Sequence, residues 1–371
     1  MKQLAIVVAA LMVLLFVPPL LMNDTVNDPA PRWSIPQDSA SPLPSDFTPI
    51  PSPVPPPART TAPPPSQNPA ANPHQNGAGS TDAIPGGYGI NERYGVIPVL
   101  RGTGVEDIGW RELLIGTMAA EIPPGFPMEA LKAQAVAIRT LLAHFEAQGN
   151  PRHPSAVVCE SPACCLAYID DATARSRWGG QYETLNDRIV EAVDSTAGEM
   201  VLYRGEPILA AFFAVSGGRT ENSSDVWGGD LPYLRSVESA GEESDERYQS
   251  RSEIAAPDLY SLLLERWPDA DLSGHPQSWF TGFRLTDGDS VSAAMVGGLW
   301  VPGPALRSLL GLRSAWFTVS YGEGLFVFHT RGHGHGVGMS QNGARHMAGR
   351  GVGYRDILTW YYTGTTVAVV S

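Results

Sequence analysis

Hydrophobic positions along the chain recur at spacings that separate helices from strands. The clearest helix runs from Pro127 to Ala147, where Leu131, Ala135, Ile138 and Leu142 follow one another at steps of three and four residues. This period puts the four side chains on one face, so the segment is predicted to be a long central helix with a buried side.

Shorter stretches complete the pattern. Strands are predicted at 94–100, 200–203 and 207–215, the last two joined by a hairpin turn at Arg204–Glu206. Helices are predicted at 107–119, 186–196, 259–267, 339–348 and 354–361, and strands alternate with a short helix between 279 and 328. Because the elements alternate irregularly and hairpins recur, we expect an α+β fold with mixed antiparallel sheets rather than a doubly wound sheet.

The chain begins with a membrane-directed segment. From Leu4 to Met22 no residue is charged, and as a helix this run would span about 28 Å, close to a bilayer core. Lys2 precedes it and Asp24 follows, which orients the rest of the chain outside the cytoplasm. We predict an uncleaved signal anchor at 1–22; a cleaved signal peptide is the alternative, although the small-residue cleavage pattern is missing.

A proline-rich segment follows the anchor. Residues 23–85 are dominated by Pro, Ser, Ala, Thr and Asn, a composition that cannot bury enough apolar surface to fold. Proline favours extended polyproline II structure, so this linker is predicted to be a disordered stalk that holds the domain at 86–371 away from the membrane.

Charge and cysteine content restrict the function. There are 38 acidic and 25 basic residues, a net charge of −13, which argues against nucleic-acid binding. Three cysteines cannot form a closed disulfide framework, and all three lie between Cys159 and Cys165. They therefore indicate a local site.

Glu121 is the first candidate for catalysis. It stands in the sequence MAAEIPPGFP, between an apolar helix end and two prolines. An apolar environment raises the pKa of a carboxyl group, and a neutral carboxylic acid can protonate a leaving oxygen. The alternative is an ordinary glutamate at the end of a helix.

The second candidate is a metal site. The segment HPSAVVCESPACC contains His153, Cys159, Cys164 and Cys165, whose imidazole and thiolate groups suit a closed, structural zinc site. A disulfide between Cys159 and Cys165 is the competing interpretation, and an extracellular compartment would permit it.

Two glycine-rich motifs are candidates for a binding groove. Ser216–Glu221 reads SGGRTE and follows an apolar strand, and its hydroxyls and backbone amides suit a sugar or amide ligand. Arg331–Gln341 reads RGHGHGVGMSQ, with His333 and His335 between glycines that allow close backbone approach. The second motif is interpreted as a groove wall, a tight strand-to-helix turn or, with less support, a metal site.

Together these motifs resemble the stage II sporulation protein D and amidase-enhancer family. The resemblance covers about residues 90–371, the anchor and stalk match the layout of the sporulation branch, and four segments carry the match: 121–140, 188–222, 227–237 and 334–362.

The resemblance implies a lytic transglycosylase that cuts peptidoglycan strands during forespore engulfment, on the mother-cell side of the septum. It implies a cell-wall amidase of the stage II sporulation protein P type, which removes stem peptides first, and a membrane scaffold of the protein M type as partners. The family's catalytic glutamate falls on Glu121, and its zinc ligands fall on His153, Cys159, Cys164 and Cys165. Cys164 departs from the family, where histidine is usual, but a thiolate is an equally good zinc ligand.

The implied mechanism gives one carboxyl two duties. Glu121 would protonate the glycosidic oxygen and then accept the proton of the substrate's C6 hydroxyl as a 1,6-anhydro ring closes, so no catalytic cofactor is needed. The expected substrate contacts in the groove are Ser216, Thr220, His335 and Gln341. The alternatives are a non-catalytic activator of an N-acetylmuramoyl-L-alanine amidase and an anchored wall-binding protein without activity.

Overall fold

The computed structural model describes residues 95–162 and 164–370, together with the backbone of a two-residue strand at Thr48–Pro49. Apart from that strand, the anchor predicted at 1–22 and the linker predicted at 23–85 lie outside the described residues. Among the helices of the described part, none is long and apolar enough to cross a membrane.

Short strands and helices alternate through the described part. The strands are β1 Thr48–Pro49, β2 Val96–Arg101, β3 Gly104–Gly109, β4 Val158–Cys159, β5 Glu199–Tyr203, β6 Glu206–Pro207, β7 Phe212–Phe213, β8 Gln249–Ala255, β9 Phe280–Leu285, β10 Val291–Val296, β11 Leu299–Pro302, β12 Phe317–Gly322, β13 Leu325–Arg331, β14 Met339–Ser340 and β15 Thr366–Val369. The helices are α1 Trp110–Glu121, α2 Met128–Gln148, α3 Asp171–Trp178, α4 Tyr182–Asp194, α5 Ser223–Trp227, α6 Ala256–Arg266, α7 Gly303–Leu309, α8 Gln341–Gly349 and α9 Tyr354–Tyr361.

Helix α2 is the centre of the first hydrophobic core. It starts after Pro127, whose fixed φ suits a helix start, and ends at Gly149, which has a φ of +76°. The predicted apolar face is confirmed, since Leu131, Ile138 and Leu142 are fully buried. Helices α1, α4, α8 and α9 and strand β5 pack against α2, and two of these helices carry candidate site residues, Glu121 on α1 and Gln341 on α8.

A second hydrophobic core lies in the segment from Ala256 to Phe328. It forms where the sheet β1-β12-β13-β8 and the sheet β11-β10-β9 contact helices α6 and α7. Phe280, Phe317 and Phe328 meet there in edge-to-face contacts with ring centroids about 6 Å apart, a favourable geometry for aromatic pairs. We refer to the part of the chain from β8 to β13, residues 249–331, as the second lobe.

The α+β prediction is confirmed as a mixed fold with several small sheets, mostly antiparallel. The hairpin at Arg204–Glu206 is also confirmed, because Tyr203 pairs with Glu206. The single strand predicted at 207–215 is wrong: β6 pairs with β5, whereas β7 pairs in parallel with β14. The chain changes its pairing partner between β6 and β7 because β14, which is far away in sequence, supplies the strand that pairs with β7.

Two further differences from the prediction have a clear physical reason. Helix α1 begins at Trp110 rather than 107, because the residues before it pair with β2 as strand β3. Helix α3 was not predicted, because Ala174 is its only buried residue and so it has no apolar period to detect.

The glycine-rich segment 332–338 folds as a tight turn against the backbone of residues 211–217. Gly338 has a φ of +81°, and a Cβ atom there would lie 2.1 Å from the carbonyl oxygen of Ala211. The amide of Met339 donates to the same oxygen at 3.1 Å, so the carbonyl cannot move away without losing this bond. Close backbone approach therefore requires glycine at this position.

A Gly338→Ala substitution should destabilise the fold strongly. Gly351 offers a matched control, because its φ is +86° but a Cβ there would meet nothing within 4 Å. In both variants the alanine must adopt a left-handed backbone conformation, which destabilises the folded state. Only Gly338→Ala adds the clash, which we expect to lower the free energy of unfolding by about 2 kcal/mol more. Urea unfolding of the two variants measures the difference, and equal losses would contradict the close approach.

Candidate functional site

Glu121 is the last residue of α1, and its side chain is partly buried. Its Oε1 atom accepts a hydrogen bond of 2.6 Å from the backbone amide of Ala167. Burial raises the pKa of Glu121, and the amide bond offsets this effect only in part. The carboxyl therefore holds its proton to a higher pH than an exposed glutamate does, as a general acid requires.

The loop after Glu121 is fixed by two arginines. Arg188 of α4 donates to the carbonyl oxygens of Pro124 at 2.8 Å and Phe126 at 2.6 Å. Arg345 of α8 lies over the Phe126 ring, 5.2 Å from its centroid. The loop is thus held between two helices that both pack on α2, which fixes the direction of the chain as it leaves Glu121.

The four predicted metal ligands come together. The ligand atoms of His153, Cys159, Cys164 and Cys165 all lie within 4.8 Å of one another. His153 Nε2 is 3.2 Å from Cys164 Sγ, and the Sγ atoms of Cys164 and Cys165 are 3.8 Å apart. The three cysteines are free thiols.

This arrangement fits a tetrahedral zinc ion. With zinc–sulfur bonds of about 2.3 Å, a tetrahedral site separates two sulfur atoms by about 3.8 Å, the distance between Cys164 and Cys165. Burial, with the neighbouring thiols adding to it, raises the pKa of Cys165 to about 12, and a bound dication would offset this by stabilising the thiolates. Asn150 supports the cluster, because its Nδ2 lies 3.5 Å from Cys165 Sγ. The zinc ion itself stays a prediction.

A short segment connects the cysteine cluster to Glu121. Ala167 follows Cys165 by two residues, and Ile169 donates to the carbonyl oxygen of Gly116 in α1 at 3.3 Å. A Cβ atom at Gly116 would lie 2.4 Å from the Tyr168 ring, so the segment rests directly on the helix. Residues 165–169 therefore lie along α1 and bring the Ala167 amide to the carboxyl at its end.

Ser216 and Thr220 are buried, and their hydroxyls bond within the protein. Ser216 Oγ donates to the carbonyl of Arg219 at 2.9 Å and accepts from the amide of Gly218 at 3.0 Å. Thr220 Oγ1 donates to the carbonyl of Arg235 at 3.1 Å and accepts from the amide of Val237 at 2.9 Å. Both side chains shape the turn, and their contact with substrate stays a prediction.

His335 is held as a neutral ring. It packs against the rings of Phe213 and Trp227, with centroids 5.7 Å and 5.1 Å away, and its Nδ1 accepts from the amide of Val337 at 3.1 Å. Burial lowers the pKa of His335 to about 4. Ser216 and His335 line one cleft, whereas Gln341 is buried at the start of α8 and, like Glu121 and Thr220, does not line it.

Glu242 is a buried acid that the sequence analysis missed. It is 2% exposed, and Oε2 accepts from the Ser216 amide at 2.8 Å and from Ser340 Oγ at 2.7 Å. Oε1 accepts from Ser239 Oγ at 2.6 Å. Ser340 is the N-cap of α8, so Glu242 joins the Ser216 turn to that helix. Burial raises its pKa to about 7. In sequence it stands among other acidic residues, which usually indicates solvated surface.

We expect the cluster to bind about one zinc ion per chain, since four closely placed soft ligands form a closed site. Elemental analysis of the purified protein measures the zinc content, and a chelator should lower its melting temperature. His153→Ala should reduce the zinc content, whereas His144→Ala, a histidine outside the cluster, should not. Zinc-free protein with a disulfide detected by mass spectrometry would contradict the prediction.

Glu242 should make stability depend on pH near neutrality. Its pKa is raised from an ordinary value of 4.5, so the folded state binds the proton more tightly than the unfolded state does. The protonated Glu242 carboxyl stabilises the folded state fully below pH 4.5. This stabilisation, up to about 3 kcal/mol in the free energy of unfolding, is lost as the pH rises through about 7. Urea unfolding from pH 5 to pH 9 should show a steeper decline for the parent protein than for Glu242→Gln. Parallel curves would contradict this assignment.

A family model and individual relatives both match this chain, and they point to the same family. Residues 101–203 match the family model described as SpoIID, stage II sporulation protein. Stage II sporulation protein D of Bacillus subtilis (strain 168) is 35% identical over 275 residues, which is 73% of this chain and 78% of the relative. The protein of the same name from Bacillus amyloliquefaciens is 34% identical over 277 residues, covering 73% and 78%.

A more distant relative carries a different name. The amidase enhancer of Bacillus subtilis (strain 168) is 27% identical over 303 residues, covering 68% of this chain and 40% of that protein. The family model covers α1, α2, the cysteine cluster and β5, and the D proteins match over nearly three quarters of the chain. On this identity and coverage, the chain belongs to the stage II sporulation protein D family.

Proposed function

We propose that this protein is a peptidoglycan lytic transglycosylase of sporulation, with Glu121 as its single acid and base. The observation that carries the proposal is the partly buried Glu121 carboxyl with one oxygen held by the Ala167 amide. The amide bond orients the group through Oε1 and leaves Oε2 to carry the proton.

The reaction needs only that one carboxyl. Protonated Glu121 gives its proton to the oxygen that links N-acetylmuramic acid to N-acetylglucosamine, and the bond from this oxygen to the muramic acid C1 breaks. The C6 hydroxyl oxygen of the same muramic acid then bonds to C1, and its proton returns to Glu121 Oε2. Glycosidases that use water commonly need a second carboxylate to activate it, whereas here the substrate supplies the nucleophile.

Zinc, in this proposal, fixes the segment that carries Ala167 and takes no part in bond cleavage. All four positions of the predicted site are filled by protein ligands, so no position is open to substrate. Residues 165–169 then stay on α1, and the Ala167 amide keeps the carboxyl in place.

The cellular setting follows from the predicted anchor and the family. We propose that the anchor at 1–22 and the stalk at 23–85 hold the domain outside the cytoplasm at the engulfing septum. The proposed partners are an amidase of the protein P type, which leaves glycan strands without peptides, and a membrane scaffold of the protein M type.

A second candidate function is activation of an amidase without glycan cleavage. It is favoured by the relative named amidase enhancer, which covers 68% of this chain. The two functions differ in their products: the transglycosylase releases 1,6-anhydro ends, and the activator only increases the release of stem peptides by an added amidase.

Glu121→Gln should abolish the release of anhydro ends from peptidoglycan stripped of its stem peptides. Glutamine keeps the shape of the side chain but cannot transfer the proton, and general acid–base catalysis contributes about 10²–10⁴-fold to the rate. Because its pKa is raised, Glu121 should keep its proton above the usual carboxyl range, and activity should fall as the pH rises past this raised value. Chromatography of the products with mass spectrometry measures the rate.

Glu129→Gln provides the control. Glu129 Oε2 accepts from the Tyr354 amide at 3.0 Å at the start of α9, and a glutamine oxygen can accept the same bond. This variant should cut at close to the parental rate. Parental activity in Glu121→Gln would refute the catalytic assignment, and a parent protein that stimulates an amidase but releases no anhydro ends would support the activator.

A further inference from the structure

The proline-rich linker contributes one strand to the sheet of the second lobe. In this sheet β12 lies between β13 and β1, the two-residue strand Thr48–Pro49. Arg331 donates to the carbonyl oxygen of Trp316 at 3.0 Å, directly before the first residue of β12. Because successive residues of an antiparallel pair direct their backbone groups to opposite sides, the even-numbered residues of β12 face β13. The odd-numbered residues face the other side, where β1 lies, and these are Phe317, Val319 and Tyr321.

The register of β1 fits this alternation. Thr48 lies opposite Tyr321, whose amide and carbonyl point toward β1, and Thr48 has both of the groups needed to pair with them. Pro49 lies opposite Ser320, whose backbone groups point toward β13. Proline has no N–H, so it is tolerated in a sheet only where the neighbouring strand does not need that donor. The linker therefore meets β12 with its proline at a position where no hydrogen bond is lost.

The linker sequence at β1 alternates proline with other residues. It reads TPIPSPVP from Thr48, with prolines at 49, 51, 53 and 55. In an extended chain, alternate residues direct their N–H groups to opposite edges, so the edge that contains Thr48 has every donor and the other edge has none. The pairing of Thr48 with Tyr321 turns the donor edge toward β12. The outer edge cannot donate to a further strand, and proline is one means by which natural sheets close an exposed edge.

Two other proline-rich parts of the linker lack this alternation. Residues 55–57 and 63–65 are runs of three prolines, which have no N–H on either edge. Such runs suit a semi-rigid spacer, but they cannot donate to a sheet. The alternating stretch is thus a part of the linker whose donors match a single strand edge.

We propose that the linker docks on the second lobe by strand addition to β12, with this chain's own β1 as the occupant of that edge. Docking divides the linker at β1. Residues 23–47 then connect the predicted anchor to the second lobe, and residues 50–94 connect the second lobe to the start of the domain.

Docking shortens the tether between the membrane and the domain. In polyproline II conformation, at about 3.1 Å per residue, residues 23–47 reach at most about 80 Å, whereas residues 23–85 would reach about 200 Å. The attachment point becomes the edge of β12, so the domain is held closer to the membrane and by its second lobe. The membrane end of this tether rests on the anchor of the proposed function, whereas the docking itself does not.

Disulfide trapping in the full-length chain, purified in detergent, tests the docking. Pro49→Cys with Ser320→Cys puts two thiols at opposed positions of a pair without ladder hydrogen bonds, where Cα atoms are about 4.5 Å apart and a disulfide can form. Oxidised glutathione is the oxidant: two protein thiols are oxidised to one disulfide, and one glutathione disulfide is reduced to two glutathione molecules. Peptide mapping by mass spectrometry identifies the bridge and distinguishes it from oxidation of the native cysteines.

Thr61→Cys with Ser320→Cys is the matched control, because residue 61 lies in the same linker but outside the alternating stretch. We expect the bridge from residue 49 to form at least about tenfold faster than the bridge from residue 61. A docked strand holds its thiol beside the partner, whereas a flexible segment brings the two together only at the effective concentration of a loop.

Hydrogen exchange gives a second measurement. Thr48→Pro removes the donor that faces β12, so the linker should leave the edge and the Tyr321 amide should exchange about tenfold faster than in the parent protein. Thr61→Pro adds a proline to the same linker and should leave this exchange rate unchanged. Mass spectrometry of peptides that contain Tyr321 measures both variants.

Three results would overturn the proposal. They are equal bridging rates for the two cysteine pairs, parental exchange of Tyr321 in Thr48→Pro, and a bridge that joins two chains on a non-reducing gel. The last would show that the linker of a second copy occupies the edge. None of these measurements needs glycan cleavage or a membrane, so failure of the proposed function is read separately. A docked chain that does not fractionate with membranes would keep the strand addition and remove the tether.

Discussion

The hydrogen bond from the Ala167 amide to Glu121 is the contact on which the proposed chemistry depends. A glutamate at the last position of a helix can turn to solvent, and this one is kept partly buried by a 2.6 Å bond to a residue 46 positions away. Two opposing effects act on its pKa, since burial raises it and the amide lowers it. The net shift is upward, and a carboxyl in this state can both give and take a proton.

The segment that supplies the amide is held at both ends. At one end the cysteine cluster brings together His153, Cys159, Cys164 and Cys165, and at the other Ile169 bonds to Gly116 within α1. Gly116 is required because Tyr168 and the Ile169 carbonyl occupy the space of its side chain, with Cβ distances of 2.4 Å and 2.5 Å. A metal bound at the cluster would thus act on the reaction through backbone position, by keeping the amide within reach of the carboxyl.

Elements with a strong local period could be predicted from the sequence, and elements set by distant partners could not. Helices α2 and α9 were placed to within two residues because their apolar positions repeat every three or four residues. Residues 207–215 were predicted as one strand, since nothing local shows that β7 pairs with β14 more than 120 residues later. The cysteine cluster was visible because its ligands are close in sequence, whereas Glu242 stands in an acidic stretch and two of its partners, Ser216 and Ser340, are 26 and 98 residues away.

Helix α8 provides a mechanical connection between the cleft and the carboxyl. At its first turn Ser340 caps the helix and bonds to Glu242, which also holds the Ser216 amide at the wall of the cleft. One turn later Arg345 lies on Phe126, in the loop that follows Glu121. Because a helix is stiff over this length and α8 packs on α2, the two regions cannot shift independently. If a glycan strand binds against the Ser216 turn, as the proposed function requires, α8 therefore sets the position of that strand relative to Glu121.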